Sequence, residues 1–331
     1  MTAVSAQQNR YSADLLADLR LVTGELARAF TALPERERLP IRHPLAGQGK
    51  LLRPVVVLGA SRYAAEPPPD RVDIAAVAEL LHLASLIHDD VIDCAESRRG
   101  SPSLNASWGE GVAILTGDIY FSSALRRLAT IRRGRFMTMF VECVADMCQS
   151  ELRQTLARFD PNQSEDAYLA VVAGKTASLF ATCGRAGAVL AGLPPAAQEQ
   201  LAAYGWSTGM AFQLVDDVAD LVAATGREPA GQDIRTGTWT LPVLHGLKSP
   251  AGSRLYSLIA AERAHEQLPA IRALLAASGS LAYAISRARG FCRQARAELD
   301  RLPTVDAAET LHGVIDGIEA GLAAADNACG D

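Results

Sequence analysis

Two short apolar segments of the chain each contain three aspartates at the same spacing. They are Asp89, Asp90 and Asp93 in the first segment and Asp216, Asp217 and Asp220 in the second. In a helix, the first and third aspartates of each set lie four positions apart, so their carboxylates project from one face about one turn apart. Like charges at that spacing repel, and buried carboxylates without a partner are costly. We therefore expect a cation beside each set.

Magnesium is the cation that fits these ligands best. Mg²⁺ is held by one or two carboxylates together with substrate phosphate oxygens and water. A single DDxxD pattern is usually a solvated acidic face, but two copies inside apolar sequence favour a metal site. If both faces point into one cavity, they predict the chemistry of diphosphate activation. Arg98 and Arg99 follow Asp93 by just over one helical turn, and guanidinium groups offer phosphate oxygens a planar fork of donors.

The elements that must position these side chains are helices. Apolar residues recur at helical spacing through most of the chain, and no window alternates as a strand does. Proline and glycine punctuation predicts roughly ten or more helices. No long flexible linker and no fixed-period repeat is visible. We therefore predict an all-α fold in which residues 1–331 form a single domain, one large helical bundle around a central cavity.

Composition narrows the class of protein further. The 331 residues are 49% hydrophobic, enough for a large core, and the net charge of −5 offers no basic field for nucleic acid. The six cysteines form no CxxC pair, so neither a zinc site nor a disulfide framework is indicated, and a reducing compartment fits. The sequence begins without a signal-peptide pattern, and no stretch reaches the ~18 apolar residues of a membrane span. We expect a soluble, cytoplasmic protein.

Six segments together resemble the trans-isoprenyl diphosphate synthases, also called polyprenyl synthetases, over nearly the whole chain. They are GKLLRP (49–54), HDDVIDCAESRRG (88–100), WGEGVAILTGD (108–118), KTASLF (175–180), FQLVDDVAD (212–220) and GQDIRTGTWTLP (231–242). The resemblance implies an isoprenoid synthase fold and a Mg²⁺-dependent prenyltransferase. Such an enzyme condenses isopentenyl diphosphate with an allylic diphosphate to give a linear polyprenyl diphosphate.

The resemblance also implies a metal-ligand set. The principal ligands of Mg²⁺, about three ions per active site, are expected to be Asp89, Asp93 and Asp216. The supporting ligands are expected to be Asp90, Asp217 and Asp220. The expected mechanism is that the allylic carbon–oxygen bond ionises, the double bond of isopentenyl diphosphate attacks the allylic cation, and the departing diphosphate takes the proton. Bound Mg²⁺ would offset the charge that develops on the leaving diphosphate.

Substrate-binding roles follow from the same resemblance. The diphosphate of isopentenyl diphosphate is expected at Lys50, Arg53, His82 and Arg99, and the allylic diphosphate at Arg98 and Lys175. Thr176 and Gln213 are expected to line the space where the allylic cation forms. The catalytic set is therefore Asp89, Asp93, Lys175, Thr176, Gln213 and Asp216. Two of the three lysines in the chain fall on these motif positions. His82 depends on the motif, because a histidine on an apolar helix is usually a core residue, and His88 is expected behind the metal ligands.

Other functions remain open at this point. A class I terpene cyclase shares the helical fold and the first aspartate motif, but it has no need of GKLLRP or of paired arginines for a second substrate. An inactive regulatory subunit is expected to lose the aspartates, whereas this chain keeps both sets. A homodimer is the expected assembly, and a catalytic subunit that needs a helper subunit is the alternative.

The chain departs from the family pattern at two positions. Glu228 and Thr238 stand where lysines usually assist diphosphate binding. Exchanging an attraction for a repulsion at ~4 Å is worth on the order of 1 to 4 kcal/mol each way. We expect Arg227 or Arg235 to compensate. The alternatives are weaker binding of the allylic diphosphate, drift toward another reaction, or dependence on a partner chain.

The residues before the first aspartate motif predict the product length. Ala84 and Ser85 lie five and four residues before Asp89, ~6 to 7.5 Å further along the helix, where the growing tail passes. Both are small, whereas short-product relatives commonly carry aromatic side chains there. We therefore expect a product of about C20 or longer, with Ala84→Phe shortening it.

Substitution of a principal metal ligand tests the magnesium assignment. Asp89→Ala or Asp216→Ala is expected to abolish turnover while the helical fold stays intact, because losing one of several like charges relieves repulsion in the metal-free protein. Circular dichroism checks the fold, and release of diphosphate from an allylic substrate checks turnover. Near-normal activity in Asp89→Ala contradicts the assignment.

Overall fold

The computed structural model describes residues 11–46, 49–131, 134–222, 230–261, 264–303 and 306–330. The α-helices are α1 (Ala13–Arg28), α2 (Glu35–Ala46), α3 (Leu52–Ser61), α4 (Arg71–Ile92), α5 (Leu104–Trp108), α6 (Glu110–Thr130), α7 (Arg135–Leu156), α8 (Glu165–Val172), α9 (Ser178–Leu190), α10 (Pro195–Val222), α11 (Gln232–Thr236), α12 (Leu241–Leu247), α13 (Gly252–Ile259), α14 (Leu268–Ala277), α15 (Ser280–Leu299) and α16 (Asp306–Gly330). A π-helical turn, here called the π-turn, spans Ala173–Ala177, and a 3₁₀ turn spans Ala264–Gln267. The strands are β1 (Ser97–Arg98) and β2 (Ser101–Pro102).

The predicted all-α class and the predicted number of helices are confirmed for the described part of the chain. The described residues divide into two compact units. The first unit contains the residues up to Val144, Phe180–Gly205 and Glu298–Val314, and the second contains Ala145–Leu179, Trp206–Ala297 and the residues from Ile315 onward. The single domain and the central cavity stay predictions.

Helix α4 is the element that positions the first aspartate set. Its apolar residues are buried almost all round, and it packs against α1, α3 and α6 within the first unit. Burial of this kind stabilises a helix far more than intrinsic propensity does. The helix ends at Ile92, and Asp93 is the C-cap, with its N–H donating to the carbonyl of Asp89 at 2.8 Å.

A short hairpin follows α4 and carries the two arginines. Strands β1 and β2 pair antiparallel, with Arg99 and Gly100 at the tip, both at positive φ (54° and 77°). Two left-handed residues at the tip are what a tight hairpin turn requires. The expectation that Arg98 and Arg99 continue the helical spacing of Asp93 is therefore wrong, because the helix stops at Ile92.

The second aspartate set lies near the end of α10, a helix of 28 residues. Within the first unit, the early part of α10 lies very close to α9. A Cβ on Gly205 would sit 2.2 Å from the carbonyl oxygen of Phe180, so only glycine permits this approach. The π-turn joins α8 to α9 and carries Lys175 and Thr176. Turns of this kind occur frequently at functional sites.

One continuous helical stretch, Glu165–Leu190, is long and apolar enough to cross a membrane by length and composition alone. Half of its most apolar window is buried in protein, and a core helix of a soluble protein meets the same criterion. This holds for the part of the chain that the structure describes. The expected lack of a membrane span therefore stays a prediction.

Candidate active site

The three aspartates of the first set have different surroundings. Asp89 and Asp93 are partly exposed at the end of α4. Asp90 is only 4% exposed, and its Oδ1 accepts a hydrogen bond from Nε of Arg98 at 2.8 Å. A charged pair of this kind is a strong hydrogen bond. Asp89 and Asp93 are thus the accessible carboxylates, while Asp90 and Arg98 balance each other's charge.

The loop after α4 is fixed by its own hydrogen bonds. The N–H of Ala95 donates to the carbonyl of Asp90 at 2.8 Å, and the carbonyl of Ala95 accepts from Ser103 Oγ at 2.6 Å and from Asn105 Nδ2 at 2.9 Å. These bonds fix the route of the chain from α4 into the hairpin. Arg98 reaches back to Asp90 from a defined position.

Several of the residues predicted to bind isopentenyl diphosphate lie near one another in the first unit. Arg53 is 8% exposed, and its guanidinium carbon lies 4.8 Å from the ring centroid of Phe180, a cation–π contact. The guanidinium of Arg99 lies against Gly49, where a Cβ would be 2.8 Å from one of its nitrogens. Lys50, the next residue, is exposed. The structure therefore brings Arg99 to the GKLLRP segment.

His82 belongs to the same basic group. Burial holds the pKa of His82 well below its usual range, and the nearby positive charges of Arg53, Arg99 and Arg98 lower it further. The imidazole is therefore neutral at physiological pH. A neutral imidazole has both a donor and an acceptor nitrogen, so its N–H is available to a phosphate oxygen.

Glu79 is an acidic residue near these basic side chains, and the motifs did not identify it. It is 3% exposed, and burial raises its pKa, while Arg53 and Arg99 act in the opposite direction. Glu79 lies three residues before His82 and so on the same face of α4. The three-residue spacing between Glu79 and His82 is the sequence signal that could have identified Glu79 as a site residue. The carboxylate supplies counter-charge to the buried Arg53.

His88 was expected behind the metal ligands, but its contacts are with α6. Its Nε2 lies 3.2 Å from the carbonyl oxygen of Ile114 and 3.5 Å from Oδ1 of Asp118. A Cβ on Gly117 would lie only 2.3 Å from the same nitrogen. The histidine therefore stabilises the packing of α4 on α6.

In the second unit, four side chains form a hydrogen-bonded chain. Thr176 Oγ1 donates to Gln213 Oε1 at 2.8 Å, and Gln213 Nε2 donates to Asp217 Oδ1 at 2.8 Å. The hydroxyl of Tyr168 donates to the other oxygen of Asp217. Thr176 and Gln213 thus lie together, and their role beside the allylic cation stays a prediction. Tyr168 was missed, because nothing in its sequence position relates it to an aspartate 49 residues away.

The three aspartates of the second set also differ. Asp216 is exposed, Asp220 is partly exposed and Asp217 is buried. Burial raises the pKa of Asp217 to about 7, the hydrogen bonds from Tyr168 and Gln213 oppose that rise, and the charges of Asp216 and Asp220 add to it. Asp217 therefore holds a proton more readily than an ordinary aspartate does.

Asp220 fixes the segment that follows the second set. Its two carboxylate oxygens accept the backbone N–H groups of Gln232 at 3.1 Å and Asp233 at 3.2 Å. Asp233 was also missed as a site residue, although it lies inside the GQDIRTGTWTLP motif. Burial raises the pKa of Asp233 well above its usual range, the other aspartates add to the rise, and Lys175 opposes it. Lys175 is thus close enough to influence this acidic group.

The two departures from the family pattern are only partly described. Glu228 and the predicted substitute Arg227 lie outside the described residues. Thr238 takes part in local bonds, since its N–H donates to the carbonyl of Asp233 at 2.9 Å and its hydroxyl accepts from Thr236 at 3.1 Å. Arg235 is exposed. Compensation by Arg227 or Arg235 stays a prediction.

The donor chemistry of both sets fits magnesium. All the predicted ligands are carboxylate oxygens, which suit a hard cation. Within the described ranges, no group of three or more acidic, histidine or cysteine side chains is already arranged around a metal position. Mg²⁺ needs no such cage, because it takes few protein ligands and completes its shell with substrate oxygens and water.

Comparison with known proteins gives consistent matches. The Polyprenyl synthetase family model matches residues 36–275. Heptaprenyl diphosphate synthase component 2 of Geobacillus stearothermophilus is 31% identical over 292 residues, covering 88% of this chain and 91% of that protein. Nonaprenyl diphosphate synthase of Mycobacterium tuberculosis is 34% identical over 281 residues, covering 83% of each chain.

A solved structure agrees with these matches. The polyprenyl synthase of Caulobacter crescentus, complexed with calcium and isoprenyl diphosphate, superposes with a TM-score of 0.86 at 29% identity, covering 96% of this chain and 97% of that one. This likeness confirms the predicted fold type.

The environment of Asp217 predicts a pH-dependent stability. The pKa of this carboxyl is about 7 in the folded state and about 3.9 in the unfolded state, so the folded protein binds the proton more tightly. The resulting contribution to the free energy of unfolding is complete below pH ~3.9 and is lost as the pH rises to about 7. The loss amounts to about 4 kcal/mol at most. Asp217→Asn removes the titration and keeps an acceptor for Tyr168. In metal-free buffer, we expect this variant to melt above the wild type at pH 8 and close to it at pH 4. A melting difference that does not change with pH contradicts this account.

Proposed function

This chain belongs to the polyprenyl synthetase family, and we propose that it condenses isopentenyl diphosphate with an allylic diphosphate, releasing inorganic diphosphate. The observation that carries the proposal is the presence of two separate cationic groups. The first unit contains the cations Arg53 and Arg99 with the neutral His82 near them, and the second contains the cation Lys175 beside an aspartate set. Two diphosphate-binding groups suit two charged substrates. A terpene cyclase needs only one.

Magnesium is the proposed metal. Asp89, Asp93 and Asp216 are exposed or partly exposed and are proposed as its principal protein ligands, with the partly exposed Asp220 as a supporting ligand. When bound, the metal supplies Lewis acidity that offsets the charge developing on the leaving diphosphate. The buried Asp90 and Asp217 are proposed as supports, because the first is paired with Arg98 and the second with Tyr168 and Gln213.

The side chains of the protein supply position and electrostatic stabilisation. Arg53 packs on the ring of Phe180, and the guanidinium of Arg99 lies against Gly49. Such preorganised donors cost no rearrangement during the reaction. The hydroxyl of Thr176 is fixed by Gln213, so its oxygen dipole can face an allylic cation. The departing diphosphate is proposed to take the proton that leaves the condensation product.

The proposed product is a linear polyprenyl diphosphate of about C20 or longer. Ser85 lies four residues before Asp89, on the same face of α4, and is partly exposed. Ala84 is fully buried. Both side chains are small, so neither closes the path that the growing tail takes along α4.

A homodimer is the proposed assembly. Helix α6 exposes Ile114 and Leu115, and α7 exposes Leu152 and Leu156, the last to 77%. Exposed apolar groups of this size suit a protein interface, and we propose a second copy of the chain as the partner. Light scattering is expected to give twice the 35.1 kDa mass of one chain. A helper subunit is the alternative, since one relative is a component of a heptaprenyl diphosphate synthase.

Product analysis tests the proposed function. The purified chain is incubated with Mg²⁺, isopentenyl diphosphate and, in separate reactions, geranyl, farnesyl or geranylgeranyl diphosphate. Mass spectrometry is expected to find linear products lengthened by whole isoprene units. Diphosphate release from the allylic substrate without isopentenyl diphosphate, with a cyclic hydrocarbon as product, would instead identify a cyclase. Lack of activity in the chain alone would favour the helper subunit.

Substitutions at the two small residues test the product length. Ser85→Phe is expected to shift the products to shorter chains, because the ring blocks the path beside Asp89. Ala84→Phe is expected to shorten them too, but with a loss of stability of about 1 to 3 kcal/mol from overpacking a fully buried site. Ser85→Ala is the matched control and is expected to leave the distribution unchanged. If both phenylalanine variants keep the wild-type distribution, the tail does not pass along this part of α4.

A further inference from the structure

Lys175, the lysine proposed to bind the allylic diphosphate, already has an anionic partner. Its ammonium is in ion-pair contact with Oε2 of Glu151 on α7, and both side chains are mostly buried, at 22% and 13% exposure. The pairing is a charge contact, since the two groups do not meet with hydrogen-bond geometry. Glu151 has no part in the roles described above.

The Glu151 carboxylate depends strongly on that contact. Both of its oxygens are shielded from solvent, and neither has a hydrogen-bond partner in the described part of the chain. A buried charge that loses its ion-pair partner is strongly destabilising. If the Lys175 ammonium moves away to bind a diphosphate, the buried Glu151 carboxylate loses its ion-pair partner. The free energy of diphosphate binding is therefore reduced by the cost of leaving that charge unpaired.

The backbone holds the two residues together. The π-turn approaches α7 so closely that a Cβ on Gly174 would lie 1.9 Å from Oγ of Ser150, the residue before Glu151. Ser178 Oγ donates to the carbonyl of Gly174 at 2.6 Å and fixes the other side of the turn. The position of Glu151 relative to the π-turn is thus set by packing. This packing places its carboxylate beside Lys175.

Lys175 also influences the second aspartate set. Its charge lowers the pKa of Asp233, against the effect of burial. The ammonium therefore interacts with acidic groups on two sides, the ion-paired Glu151 and the aspartates. A diphosphate that binds at Lys175 therefore competes with Glu151 and the aspartates for the same ammonium group.

We propose that Glu151 is a positioning residue that competes with diphosphate for Lys175 and weakens the hold of the site on the allylic substrate and on released inorganic diphosphate. The inference rests on the proposed function and extends it to a residue that sets affinity. The competition matters more here because Glu228 and Thr238 replace two other lysines of the family pattern. A weaker hold favours release of the diphosphate product.

Calorimetric binding of inorganic diphosphate with Mg²⁺ tests the inference without turnover. Glu151→Gln is expected to bind it severalfold to tenfold more tightly than the wild type, because the competing charge is gone. Glu142→Gln, an exposed charge removal on the same helix, is the matched control and is expected to leave the affinity unchanged. In turnover, Glu151→Gln is expected to lower the Michaelis constant for the allylic substrate but not that for isopentenyl diphosphate.

A double-mutant cycle identifies the route of the effect. In the Lys175→Ala background, adding Glu151→Gln is expected to leave diphosphate affinity unchanged, because the contested cation is absent. Equal gains with and without Lys175, or an unchanged or weaker affinity in folded Glu151→Gln, overturn the inference. Glu151→Asp, whose carboxylate is one methylene further from Lys175, is expected to give a smaller gain in affinity and replaces Glu151→Gln if that variant does not fold.

If the wild type makes no prenyl product while the binding cycle behaves as expected, the proposed function fails and the Glu151 inference stands.

Discussion

Carboxylate charge held in poorly solvated surroundings is the constraint on which the rest of the site depends. Two sets of aspartates lie at the ends of helices whose other residues are largely apolar. Each buried member has a specific donor, Arg98 for Asp90 and Tyr168 for Asp217. The remaining members, Asp89, Asp93, Asp216 and Asp220, are at least partly exposed and so can be reached by ligands from solvent. A divalent cation with a diphosphate is the complement that such a site accommodates best.

The same constraint explains the arrangement of the positive charges. Arg53 is buried beside Glu79, and Lys175 is paired with Glu151. In both places a glutamate balances a cation that we propose binds a substrate phosphate. This pairing of opposite charges stabilises the fold, because an isolated buried charge is far more costly than a buried ion pair.

The parts of the fold that follow helical periodicity could be predicted from the sequence. The aspartate spacing identified α4 and α10 because, in a helix, positions four apart share a face. The hairpin that carries Arg98 and Arg99 was missed, since strands of two residues produce no alternation. The π-turn at Lys175 was also missed. One wider turn within a helical stretch hardly changes the helical spacing of the apolar residues. Pairings such as Glu151 with Lys175 depend on how distant helices pack, which no local pattern encodes.

Thermal unfolding with separate and combined ligands tests the central claim most directly. The protein is melted in chelator, with Mg²⁺ alone, with inorganic diphosphate alone, and with both. A ligand that binds only the folded state raises the melting temperature in proportion to its binding free energy. If carboxylate charge awaits a metal–diphosphate complex, the rise with both ligands exceeds the sum of the separate rises, and Asp89→Asn and Asp216→Asn each remove the excess. Equal rises for diphosphate with and without Mg²⁺, or an excess that survives in both variants, would contradict the account.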